Sequence, residues 1–241
     1  MESRYKIAWA YAAGESHELA GIPCQDRICV QRKNGAECAV LTDGAGSVEN
    51  SQYISSAVTR VLAEDFCSCA DYWLAMNDTQ LKAYVRELSS RAAGMYPGMA
   101  ADCTMLFFGA YEDQILILHI GDGIILGVGE EAEVISLPEH GAEPNQTYFL
   151  SGPEMENHLR IYREIMEDTD TVVMTSDGLE RVLYDPVTHI PANAVKIMRQ
   201  WITENEEDTV SQKLAETFRE LFRKYTTDDL SILVIHRINT E

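Results

Sequence analysis

Four carboxylates stand at the ends of four apolar runs in this chain. Val40-Leu41-Thr42 leads into Asp43-Gly44, residues 115–121 lead into Asp122-Gly123, and residues 172–176 lead into Asp177-Gly178. In the fourth place the order reverses, and Asp228-Asp229 stands just before the run 230–235. Length and β-branched content make each run a buried strand. Strands that end in carboxylates, with Gly beside them so that the backbone can turn sharply or approach a ligand, can build a hard-cation site. A lone Asp-Gly after a strand is usually a turn, and three of them could all be turns. The shared pattern and the fourth acidic pair are what point to a common metal site.

The elements that would carry these acids follow from periodicity. Strands are expected near 5–12, 26–31 and 36–42, then a helix from about Ser51 to Phe66 with Ile54, Ala57, Val58, Val61, Leu62 and Phe66 on one face, capped by Asn50 or Ser51. A second helix is expected from about Asp78 to Ala93, ended by Gly94 and Pro97-Gly98. Strands return at 103–111 and 114–120, joined at Glu112-Asp113 as a hairpin, and near 124–128, 132–137, 147–150 and 171–176. Helices at about 192–203 and 209–225 precede a last strand. Two amphipathic helix pairs each need a sheet face to cover. An α+β fold of four layers, α/β/β/α, with two antiparallel sheets between the helix pairs, satisfies that need. No repeat, low-complexity linker or charge block cuts the chain, so residues 1–241 are read as one domain.

Composition narrows the partners. A net charge of −20, from 19 basic and 39 acidic residues, argues against nucleic acid or an anionic membrane. The acidic run 204–208 reads as an exposed loop. The six cysteines form no C-x-x-C pair, and a reducing cytosol is the simplest setting for them. Residues 7–13 are too short and too aromatic for a signal peptide and read as the first strand, and no apolar run approaches the roughly 18 residues of a membrane span.

Six pieces of the chain, in order, resemble the metal-dependent (PPM, type 2C) serine/threonine protein phosphatases, in particular their compact bacterial branch. They are Gly14-Glu15-Ser16-His17 with Gly21-Ile22-Pro23-Cys24-Gln25-Asp26; Thr42-Asp43-Gly44-Ala45-Gly46-Ser47; Asp102-Cys103-Thr104; Ile120-Gly121-Asp122-Gly123; Thr175-Ser176-Asp177-Gly178; and Thr227-Asp228-Asp229-Leu230-Ser231-Ile232. The resemblance implies that Asp43 bridges two Mn²⁺ or Mg²⁺ ions and that the Gly44 carbonyl contacts one of them. Asp177 and Asp228 would complete the second ion's ligands, Asp26 would hold metal-bound waters, and Asp122 would join Asp177 around a third, weaker ion. A hydroxide bridging two such ions can attack phosphorus in line with the leaving serine or threonine oxygen. A cytoplasmic signalling enzyme is then expected, acting on phosphorylated proteins opposite a serine/threonine kinase, as a monomer.

Two positions depart from the best-known relatives. Ala45 stands where animal enzymes carry the His that protonates the leaving group, and Gly21 stands where they carry a phosphate-binding Arg. His17 or a metal-bound water could supply the proton, and Arg4 or Arg27 could pair with phosphate; His17 could equally be a surface or capping residue. Of Asp228-Asp229, only the first aligns with the family's ligand, so Asp229→Asn is expected to be mild.

Other chemistries are less well served. No Cys is followed by Arg at the C-x5-R spacing of cysteine phosphatases, and there is no Walker-type loop. Asp168-Thr169-Asp170-Thr171-Val172 has the letters of an aspartyl-phosphate motif but precedes its strand, and reads as a solvent turn. The rival from a different class is a catalytically silent phosphatase-fold module that binds and regulates a partner. The retention of Asp26, Asp43, Asp177 and Asp228 argues against it.

Overall fold

The computed structural model describes residues 3–141, 146–163 and 169–238. In chain order the elements are β1 (Tyr5–Ala12), α1 (Glu15–Ala20), β2 (Arg27–Lys33), β3 (Ala36–Thr42), α2 (Ser51–Ser68), α3 (Ala70–Ala75), α4 (Asp78–Ala93), β4 (Met105–Tyr111) and β5 (Gln114–Ile120). There follow β6 (Ile124–Val128), β7 (Ala132–Ser136), α5 (Met155–His158), β8 (Arg160–Arg163) and β9 (Thr171–Thr175). The chain continues with α6 (Glu180–Leu183), β10 (Tyr184–Asp185), β11 (Ile190–Pro191), α7 (Ala194–Glu204), α8 (Glu207–Glu220) and β12 (Leu230–Arg237).

Two five-stranded sheets run β1-β12-β9-β6-β7 and β2-β3-β4-β5-β8, with antiparallel pairing throughout. The four-layer α+β arrangement expected from the helix pairs is the one observed. Period-2 alternation explains the continuous apolar runs: Cys38 and Val40 of β3 face α2 and α4, while Ala39 and Leu41 face the other sheet. The same holds across the molecule, where Val173 faces α7 and α8 and Val172 and Met174 face inward. A strand buried on both faces has no polar side to show. Three apolar layers result, one between the sheets and one under each helix pair.

The structure amends several local expectations. Residues 147–150 form no strand, and Thr147 makes only an isolated bridge to His140. The partner of β5 is instead β8, from Arg160 to Arg163. Neither Asn50 nor Ser51 caps α2 with its side chain: Asn50 adopts φ 64° with no capping bond, and the Ser51 hydroxyl is buried without a partner. The last long helix stops at Glu220, and a 3-10 turn covers Phe222–Lys224. Asp168 lies outside the described residues, but Asp170 is no solvent turn. It is half-buried and takes Arg199 Nε at 2.6 Å and Thr171 Oγ1 at 2.8 Å.

Candidate active site

The acids gather where the strand ends of the two sheets meet. β3 delivers Asp43, β9 delivers Asp177, and the link from β5 to β6 carries Asp122. That link passes from one sheet to the other, so Gly121-Asp122-Gly123 is not the turn of a hairpin. Gly121 has φ +106°, and a Cβ there would sit 2.5 Å from Thr104, which leaves Gly as the residue that fits. Gly178 is equally constrained, since its Cβ would lie 1.9 Å from the Asp229 carbonyl oxygen. Asp102-Cys103-Thr104 buttresses the Asp43 loop: Ala45 N–H donates to the Asp102 carbonyl at 2.9 Å, and Asp43 N–H donates to Thr104 Oγ1 at 3.2 Å.

Asp43, Asp122 and Asp177 each offer an oxygen within 4.8 Å of the others. They line a cleft of about 810 Å³ with Gly44, His17, Asp228 and Asp229. Asp228 is exposed on the cleft wall, and its Oδ1 accepts the Asp229 N–H at 2.8 Å. The tight group thus includes Asp122 and not Asp228, whereas the ligand set implied by the family resemblance gives Asp228 the larger part. Asp26 is fully buried nearby; its Oδ2 accepts the Ser176 hydroxyl at 2.8 Å, and its Oδ1 has no donor among the described residues.

Burial first, and then neighbouring carboxylates, pushes the Asp43 and Asp177 carboxyls well above the usual range. Burial also raises Asp122, and lifts Asp26 to about 7. Protein groups therefore leave this negative charge uncompensated. An all-oxygen donor set with an orphaned buried carboxylate oxygen behind it fits a hard divalent cation such as Mg²⁺ or Mn²⁺.

His17 sits on α1, a helix missed in the sequence because it has no buried face. Gly21 closes that helix at φ 70°, the left-handed conformation that glycine tolerates. Arg4 and Arg27 do not reach the cleft. Arg4 binds Asp113 at 2.6 Å, and Arg27 donates to the Cys24 and Asp26 carbonyls at 2.5 and 2.6 Å and lies over Tyr11. The cleft's cations are instead Arg181, Arg223 and Lys224, of which Arg223 is held by Glu18 at 2.6 Å. Nothing in their spacing marked them, because they come from α6 and the turn before β12.

Asp229 is the larger correction. It is buried and accepts three hydrogen bonds, from Gly14 N–H at 2.8 Å, Gln25 N–H at 2.5 Å and His17 Nδ1 at 2.8 Å. An Asn there would turn an amino group toward one of these donors, so the mild effect expected from sequence does not follow.

The family model for Protein phosphatase 2C matches residues 13–219. Serine/threonine-protein phosphatase 3 of Escherichia coli K12 is 25% identical over 202 residues, covering 78% of this chain and 79% of that protein. Stp1, a serine/threonine phosphatase of Staphylococcus aureus, superimposes with a TM-score of 0.68 at 15% identity over 100% of this chain and 97% of its own. RsbX in complex with magnesium gives 0.60 at 14% identity over 99% and 98%. The structural likenesses establish the fold, and the match along most of the sequence establishes the lineage: the chain belongs to the protein phosphatase 2C family of serine/threonine phosphatases.

Proposed function

We propose that this protein is a metal-dependent phosphoserine/phosphothreonine protein phosphatase working through two divalent ions. The convergence of Asp43, Asp122 and Asp177 within 4.8 Å on the floor of an open cleft carries the reading. Asp43, the Gly44 carbonyl, Asp177 and Asp228 would hold two Mn²⁺ or Mg²⁺ ions, with Asp122 and Asp177 available to a third, weaker one. Magnesium in the RsbX complex is in keeping with that choice. When bound, such ions supply Lewis acidity that makes water nucleophilic at neutral pH and offsets charge on the phosphoryl group.

The chain's own residues do the rest. Asp26, buried with one free oxygen, would orient the attacking water. Arg181 and Lys224, which have no ion-pair partner among the described residues, would meet the phosphoryl oxygens or acidic groups beside them. His17 on the wall would give a proton to the leaving oxygen. In a chain of net charge −20, a dianionic substrate reaches the floor only once cations have reversed its sign.

Phosphorylated proteins made by a serine/threonine kinase are the proposed substrates, in the cytoplasm of a bacterium, with residues 1–241 acting as one monomeric domain. No helix among the described residues is long and apolar enough to cross a membrane. The test is phosphate release from phosphoserine, phosphothreonine and phosphotyrosine peptides with Mn²⁺, with Mg²⁺ and with excess chelator. Metal-dependent release from the first two is expected. No release at any metal concentration would favour the silent module instead.

A further inference from the structure

We propose that Asp229 is a positioning residue that fixes the His17 ring so that its Nε2 delivers a proton to the departing serine or threonine oxygen. The inference rests on the phosphatase reading and adds the pair that would release the alcohol.

The geometry of the pair differs from that of an ordinary surface ion pair. The Asp229 side chain is 4% exposed and that of His17 is 16% exposed. Asp229 Oδ1 accepts from Gly14 N–H and His17 Nδ1, and Oδ2 accepts from Gln25 N–H. Gly14 and Gln25 flank α1 on either side, so one carboxylate at the start of β12 anchors both ends of the segment that carries His17. The helix is tied down again by Ser16, whose N–H and hydroxyl both donate to the Thr227 carbonyl at 3.1 and 2.6 Å. Arg223 bridges Glu18 and the Ala13 carbonyl. Six residues without a buried face would not hold a position by packing, so these polar contacts set it.

An ionised carboxylate only accepts hydrogen bonds, so Nδ1 carries a hydrogen whether the ring is neutral or charged. The ring hydrogen that can be handed to a substrate is therefore the one on Nε2. Nε2 has no partner among the described residues, and the ring lines the cleft that holds Asp43, Asp177 and Asp228. None of the other described histidines combines these features. His119 is buried against Ser136, His158 is stacked on Tyr148 away from the cleft, and His140 lines the cleft with no carboxylate bonded to its ring.

In the step itself, a bond forms from a water oxygen to phosphorus as the bond from phosphorus to the serine oxygen breaks. The electron pair of the broken bond stays on the serine oxygen and takes the Nε2 proton. The proton lost by the attacking water passes to solvent, from which Nε2 is recharged. An alkoxide needs that proton far more than a nitrophenolate does, and the test uses this difference.

Mn²⁺-loaded protein is assayed on a phosphoserine peptide and on p-nitrophenyl phosphate. His17→Ala should slow the peptide about a hundredfold, with a loss on the aryl ester at least about tenfold smaller. Asp229→Asn should show the same selectivity, and the double variant should be no worse than His17→Ala on the peptide. Equal slowing of both substrates would overturn the proposal, since a merely structural contact has no preference for one leaving group. Absence of turnover by the unaltered protein on either substrate would instead sink the phosphatase reading, and this role with it. Because Asp229→Asn also loosens Gly14 and Gln25, histidine ¹⁵N shifts of the unaltered protein provide a check free of folding. Neutral His17 protonated at Nδ1 is expected, and protonation at Nε2 would contradict the pairing.

Discussion

Strand β9 carries an acid near each end, and the two have opposite surroundings. Before it, Asp170 faces Arg199, whose Nε and terminal nitrogen both donate to the carboxylate, with Thr171 Oγ1 adding a third bond. Burial pushes that carboxyl up, but Arg199 and Thr171 outweigh it and hold it below the usual range. Just past the other end, Asp177 has carboxylates for neighbours, and burial together with Asp122 and Asp228 drives it well up. The difference separates an acid that holds the fold from one that the fold holds ready. A paired carboxylate stabilises the folded protein, whereas an unpaired cluster is tolerated only where an added cation can satisfy it.

The comparison is tested most severely by exchanging charge for shape at both ends. Asp43→Asn and Asp177→Asn should each cut phosphatase activity by about a hundredfold or more, the scale expected when a metal site is damaged, while folding is kept. Asp170→Asn should do the reverse, costing about 1–3 kcal/mol of unfolding free energy, read from a denaturant titration, with far less effect on turnover. Similar activity losses at both ends would erase the distinction.

A smaller effect comes from pH. Asp26 has a folded pKa of about 7, above the roughly 3.9 of an unfolded Asp, so the folded state binds its proton more tightly. The stability this contributes is fully present below about pH 4 and is lost as pH rises through about 7. Metal-stripped protein should therefore lose stability from Asp26 across that window, and bound Mn²⁺ should raise Tm more at pH 8 than at pH 5.5. A metal-induced shift that is flat across this range would mean that the acids are compensated in some other way.

The smallest expected change sharpens the cluster itself. Asp122→Ala should leave the tight ions in place and raise the Mn²⁺ concentration needed for full activity, read from a metal titration of turnover. An unaltered curve would reduce Asp122 to a link between the sheets.

The acids were legible in the sequence because each closes a long apolar run, and the sandwich was legible because its helix pairs keep clean apolar faces. What escaped has a common cause. Strand β8 reads Arg-Ile-Tyr-Arg and α1 has no buried residue, so neither shows a period, while Tyr148-Phe149-Leu150 is apolar without being a strand. Asp113 and Arg199, the partners of Arg4 and Asp170, lie 109 and 29 residues away from them and the donors to Asp229 more than 200, so only the folded chain brings them together. Arg27 turns instead to the carbonyls of Cys24 and Asp26, which no side-chain pattern marks. Spacing locates a carboxylate, but its neighbours decide what it does.

The central claim is that the cleft acids, and not acidity in general, bind the divalent ions. Calorimetric titration of metal-stripped protein with Mn²⁺ tests it most directly, comparing the unaltered chain with Asp43→Asn and Asp170→Asn. Two tight ions are predicted for the unaltered chain and for Asp170→Asn, with tight binding lost in Asp43→Asn. Undiminished tight binding in Asp43→Asn would contradict the account.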